Sequence, residues 1–178
     1  MNIDVKSLNL AIVGGRVSYK NGYLYAINSF AKVIEELAKR YNHIYLSSSL
    51  KDEYDEEDDY RLPENLTLIP QPNWSSTLNS VKYTTEIFAS YQSVIEKSNH
   101  IFVRGNPLPA TRRLYDFCYK RNSPICHWLV GNPMAVLNSN TRTNKVVDNL
   151  GKIYVWLWEK QLIRGRRKAN GTFICNGQ

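Results

Sequence analysis

Three short stretches set glycine beside an arginine or an asparagine: Gly14-Gly15-Arg16, Arg104-Gly105-Asn106 and Gly131-Asn132-Pro133. A glycine pair at a strand-to-helix turn lets backbone N–H groups and a helix N-terminus approach a diphosphate closely, and the helix dipole adds favourable partial charge there. The chemistry open to such loops is anion and substrate binding. Gly14, Gly15, Arg16, Arg104, Gly105, Asn106, Gly131 and Asn132 are therefore the candidate substrate-binding residues.

The remaining reactive side chains suggest less. Cys118, Cys126 and Cys175 lack the CxxC spacing of a zinc site or a disulfide framework, and a reducing, cytoplasmic setting suits them. His43 and His100 sit at strand boundaries. His127 falls on the inward side of a strand with Leu129, where a buried, hydrogen-bonded packing role is expected. No histidine cluster points to a metal. Asp52 to Tyr60 holds seven of the sixteen acids, lacks the glycine and terminal glutamate of a calcium loop, and reads as a solvated, mobile loop whose tyrosines pin it to the surface.

The elements that must position these residues alternate. Leu8 to Val13 reads as a buried strand ending at Gly14-Gly15, followed by a helix opening at Asn21-Gly22 with apolar residues at Leu24, Ile27, Phe30, Ala31, Ile34 and Leu37. Strands are expected at His43 to Ser48, Leu66 to Ile69, His100 to Val103, Ile125 to Val130 and Thr172 to Cys175. Helices are expected through Val81 to Ile95, around Ala110 to Cys118, and over 150–168. This order predicts an α/β fold: a Rossmann-like, doubly wound, mainly parallel sheet with helices on both faces, forming one domain over 1–178. Ligands of such sheets bind beyond the carboxyl ends of the strands, where the three loops would line one cleft. A nicotinamide dinucleotide site is disfavoured, because Gly14 to Gly22 does not match GxGxxG and the second strand runs into Ser47-Ser48-Ser49 instead of an acidic residue.

The glycine pair after the first strand, the helix after Asn21-Gly22, His127-Trp128-Leu129-Val130-Gly131-Asn132-Pro133 and Thr172-Phe173-Ile174-Cys175-Asn176-Gly177-Gln178 together resemble the N-terminal domain of GT-B glycosyltransferases of the family 4 type. That resemblance implies an acceptor-binding half of a sugar transferase, facing a C-terminal donor domain that this chain lacks. The implied donor substrate is a nucleotide diphosphate sugar, with no separate cofactor and no metal. The implied acceptor is a surface glycan or a lipid-linked glycan. In the family the glycine-rich loop closes over the donor phosphates. Many relatives place a histidine at the end of the fifth strand, where this chain has Val130-Gly131-Asn132, so no catalytic residue is assigned.

Charge is distributed unevenly. Residues 1–100 carry 10 basic and 13 acidic side chains, net −3, whereas residues 101–178 carry 13 basic and 3 acidic, net +10. An anionic partner for the second half is expected. The segment 152–168 concentrates Trp156 and Trp158 with Arg164, Arg166, Arg167 and Lys168, a combination that suits peripheral contact with an anionic membrane at its inner face. No apolar stretch is long enough to span a bilayer. A second class of function is a non-catalytic module binding an anionic polymer or nucleic acid, although no RNA-binding motif is present.

Overall fold

The computed structural model describes residues 5–74, 79–105, 108–129, 145–168 and 172–175. It is an α/β structure built on a mixed sheet. In chain order the elements are β1 (Asn9–Lys20), β2 (Tyr23–Ala26), α1 (Asn28–Ala38), β3 (His43–Leu50), β4 (Tyr60–Arg61), β5 (Leu66–Gln71), α2 (Thr84–Glu96), β6 (His100–Arg104), α3 (Pro109–Lys120), β7 (Ile125–Leu129), α4 (Lys145–Lys168) and β8 (Thr172–Cys175). Parallel pairings run β5-β3-β1-β6-β7-β8. The antiparallel pairs β1-β2 and β2-β4 extend the sheet beyond one end of β1.

Alternation along the strands assigns each face its helices. Ala11 and Val13 join Ile101, Val103 and Ile125 under α2 and α3, which contribute Ile87, Tyr91, Leu114 and Tyr115. Leu10 and Ile12 point the other way, with Ile44 and Leu46, against Phe30, Ala31 and Ile34 of α1. Burial on both faces explains why Leu10 to Val13 is continuously apolar instead of alternating.

Two expectations are corrected near the first strand. β1 does not stop at Gly14-Gly15. It passes through them and continues to Lys20, with a register shift against β3 between Val13 and Arg16. Gly14 and Gly15 have φ of 112° and 81°, so they crease the strand as a bulge while Val17 and Ser18 remain buried beyond it. Nor does a helix open at Asn21-Gly22. Those residues, at φ 51° and 85°, form the tight turn of the β1-β2 hairpin, and α1 starts only at Asn28. Positive φ at both central positions matches the right-handed twist of the flanking strands, which is why Asn-Gly is favoured there.

The acidic stretch is also corrected in part. Glu53, Glu56, Glu57 and Asp59 are exposed, but Asp58 is fully buried, paired with Lys51 at 2.9 Å and hydrogen-bonded by Ser18. The tyrosines do pin the segment: Tyr54 stacks edge-on with Tyr25, and Tyr60 donates to Glu35 at 2.7 Å. At the far end of the chain α4 packs on α3. Val155 is buried and Gly165 lies so close to the Tyr115 ring that a β-carbon would overlap it.

Candidate functional site

The crease in β1 is where that strand exchanges neighbours. Up to Val13 its edge is paired with β6, at Val103, and from Ser18 the antiparallel β2 takes over, opposite Tyr25. Between those points Gly14, Gly15 and Arg16 line a cavity of about 470 Å³ at the crease of β1 and the carboxyl ends of β3, β5 and β6. This size falls within the usual range of small-ligand sites, roughly 300–1,000 Å³.

Strand ends and helix starts supply much of the wall, and the loop between β3 and β4 supplies Asp55, Glu57 and Asp58. Lys51 follows β3, Gln71 closes β5, and Arg104 closes β6 with Gly105 beyond it. Ile27 and Leu108, the residues just before α1 and α3, bring two helix N-termini to the rim. Ile27 supplies no side-chain cap to α1, whereas the Leu108 N–H donates to Thr111 Oγ1 at 2.8 Å. Both helix starts contribute partial positive charge.

The charged groups are segregated. Lys51 holds Asp58 at 2.9 Å and Asp55 at 2.6 Å on one wall, and its ion pair keeps the Asp55 carboxyl below the usual range. Arg16 donates to the Trp74 carbonyl at 2.9 Å and lies over the Trp74 ring. The Arg104 guanidinium sits 4.6 Å from the Phe30 centroid and 5.6 Å from that of Trp128. Burial lowers the Arg104 pKa. Among the described residues neither arginine has a carboxylate partner. Among the described residues three buried polar atoms of cavity-lining residues have no hydrogen-bond partner: Arg104 Nε, Trp74 Nε1 and Asp58 Oδ1.

His127 supports this site from behind. Its Nε2 faces the Gly105 carbonyl at 2.9 Å, which requires that nitrogen to carry the proton, and Nδ1 then accepts from Tyr115 Oη at 2.7 Å. The Gly105 N–H also donates to the Trp128 carbonyl at 2.9 Å. Burial pushes the imidazole down to about 4, so it stays neutral and both nitrogens are engaged. The expected packing role is what the geometry shows, and it holds Gly105 in place.

Five sequence candidates, Gly14, Gly15, Arg16, Arg104 and Gly105, thus meet in one cavity. Asn106, Gly131 and Asn132 lie outside the described residues, as do the side chains of Trp158, Arg164, Arg166 and Lys168. Trp156 and Arg167 are exposed on α4. The reason for the glycines changes, however. A β-carbon on Gly15 would overlap the Phe30 ring, and one on Gly14 would overlap the Arg104 carbonyl oxygen. Close packing therefore demands glycine at both positions, whatever binds. Sequence reasoning passed over Lys51, Gln71, Trp74 and Asp58. Lys51 and Gln71 were reachable by the same strand-end logic that selected Arg104, whereas Asp58 enters through long-range pairing.

Among the described residues no helix is long and apolar enough to cross a membrane, and no three His, Cys, Asp or Glu side chains gather as a metal site. Comparison of the chain with protein-family models, curated proteins and solved structures gives no match.

Proposed function

We propose that the chain is the acceptor-binding domain of a GT-B glycosyltransferase of the family 4 type, with a Rossmann-like, doubly wound fold. The observation that carries this reading is the cavity at the carboxyl ends of the parallel strands, where the strand order turns around β1. Numbered among themselves, the parallel strands follow the order 3-2-1-4-5-6 common to doubly wound nucleotide-binding sheets. In this reading the cavity holds a glycan or lipid-linked acceptor. Arg16 and Arg104 orient it, and a donor domain facing Gly14 and Gly15 delivers the sugar from a nucleotide diphosphate sugar. Positioning and exclusion of water are this half's contribution to the rate.

A peripheral position on an anionic membrane completes the proposal. Leu150, Ile153 and Leu157 recur at helical spacing on α4 and are all more than half exposed, with Trp156 beside them. Lys160 lies over the Trp156 ring. This pattern of apolar stripe and flanking cations favours an interfacial helix.

The test mixes the 178-residue chain with glycan and lipid-linked glycan acceptors and reads saturation-transfer NMR, with a nucleotide-sugar turnover assay alongside. Acceptor signals lost on Trp74→Ala, with no transfer by the chain alone, are expected. Robust turnover by the isolated chain, or retention on heparin or nucleic acid without any acceptor signal, would overturn the reading.

A further inference from the structure

Arg104 is half-buried, and nothing among the described residues pairs with its charge. Its guanidinium is wedged between Phe30 and Trp128, its Nε is buried without a partner, and no carboxylate lies within ion-pair distance. Aromatic faces return only part of the solvation that such a cation gives up. The half of the side chain that is buried gives up water that these rings do not replace. The same desolvation lowers the Arg104 pKa. An anion entering the cavity would supply the missing partner in a low-dielectric setting, where a bidentate arginine pair is strong.

The wall that carries Asp58 differs. Asp58 is fully buried and its Oδ2 is taken by Ser18 and Lys51, but Oδ1 accepts nothing. Trp74 Nε1, a donor, is likewise unpartnered. A wall lined by the Asp55, Glu57 and Asp58 carboxylates opposes a bare polyanion and suits hydroxyls. The cavity therefore asks for an anionic group on the arginine side and hydroxyls on the Asp58 side.

We propose that the cavity binds a sugar bearing one anionic group, phosphate or carboxylate, with the anion on Arg104 and the ring hydroxyls turned to the wall that carries Asp55, Glu57 and Asp58. As a statement about the acceptor this rests on the glycosyltransferase reading. As a binding site it does not.

The experiment is calorimetric titration of the 178-residue chain with glucose 1-phosphate, glucuronate, inorganic phosphate and glucose, for wild type, Arg104→Met and Arg104→Lys, with thermal unfolding of each ligand-free protein. At least one of glucose 1-phosphate and glucuronate is expected to bind at least tenfold more tightly than glucose. The one that binds identifies phosphate or carboxylate, and binding of both supports either. Arg104→Met is expected to weaken that binding at least tenfold while raising the melting temperature, because an uncompensated cation is replaced by an apolar side chain of similar length. Loss of binding with a lowered melting temperature would indicate a structural arginine and overturn the proposal. Arg104→Lys keeps charge without the planar fork and is expected to fall between the two, which secures the test should Arg104→Met fail to fold. Equal affinity of wild type and variants would also overturn the proposal, and inorganic phosphate binding as tightly as glucose 1-phosphate would remove the role given to the carboxylate wall. Because turnover is not read, failure of sugar transfer in a two-domain enzyme would sink the acceptor assignment and leave this site intact.

Discussion

The Phe30 ring fills the space that a β-carbon on Gly15 would occupy. Gly15 also sits at φ 81°, where a side chain is strained whatever its surroundings. Gly15→Ala is therefore expected to lower stability by about 2–4 kcal/mol, from strain and overpacking together. Urea denaturation is the measurement. A double variant with Phe30→Leu should recover part of the loss. The corresponding loss in Gly14→Ala should have no side-chain remedy, since the obstructing atom is the main-chain oxygen of Arg104. Unchanged stability in Gly15→Ala would show that the bulge can shift to admit a methyl group.

His127 makes stability depend on pH. Its imidazole is held neutral down to about 4, against 6.5 for the free side chain. The unfolded chain takes up that proton at the higher pH, so the contribution is full above about 6.5 and is lost as pH falls toward 4. The total is about 3 kcal/mol. His127→Gln retains a donor and an acceptor but does not titrate. The stability gap between wild type and this variant should thus narrow by about 2–3 kcal/mol between neutral pH and pH 4. Parallel pH curves for the two proteins would refute the assignment.

The exposed face of α4 invites a membrane test. Each cation close to an anionic surface contributes roughly 1 kcal/mol, and salt shortens the reach of that attraction. Replacing Arg164, Arg166, Arg167 and Lys168 by glutamine should abolish sedimentation with anionic vesicles. With those cations kept, Leu150→Ser with Ile153→Ser and Leu157→Ser should weaken sedimentation at high salt, where apolar burial is what remains. Equal binding to neutral and anionic vesicles, or binding to neither, would return this helix to packing and solvation.

Most of the α/β alternation was legible in the residues because parallel strands covered on both faces are short, continuous apolar runs. Leu10 to Val13 announces itself in this way, and the helices through Ile87 and Leu114 show their buried stripes at three-and-four spacing. The hairpin was harder. Leu24 and Ile27 fit a helical stripe that continues into Phe30, so the periodicity hid the Asn21-Gly22 turn, although Asn-Gly between Tyr19 and Tyr23 is itself a hairpin signature. Five cavity residues were found from glycine and arginine at strand ends. Asp58 could not be, because its burial depends on Ser18 and Lys51, and only the folded hairpin brings Ser18 to it.

The central place of β1 has a consequence during synthesis. Its neighbours β2 and β3 are complete by Leu50, but β6, which closes its remaining edge from Leu10 to Val13, begins only at His100. At the usual pace of about 5–20 residues per second, the ribosome takes several seconds to deliver that partner. For this interval a strand of wholly apolar residues has an unpaired edge, which is a template for another chain. The period of greatest risk for the nascent protein is therefore fixed by the spacing of β3 and β6 along the gene, and added stability in the finished fold would not shorten it.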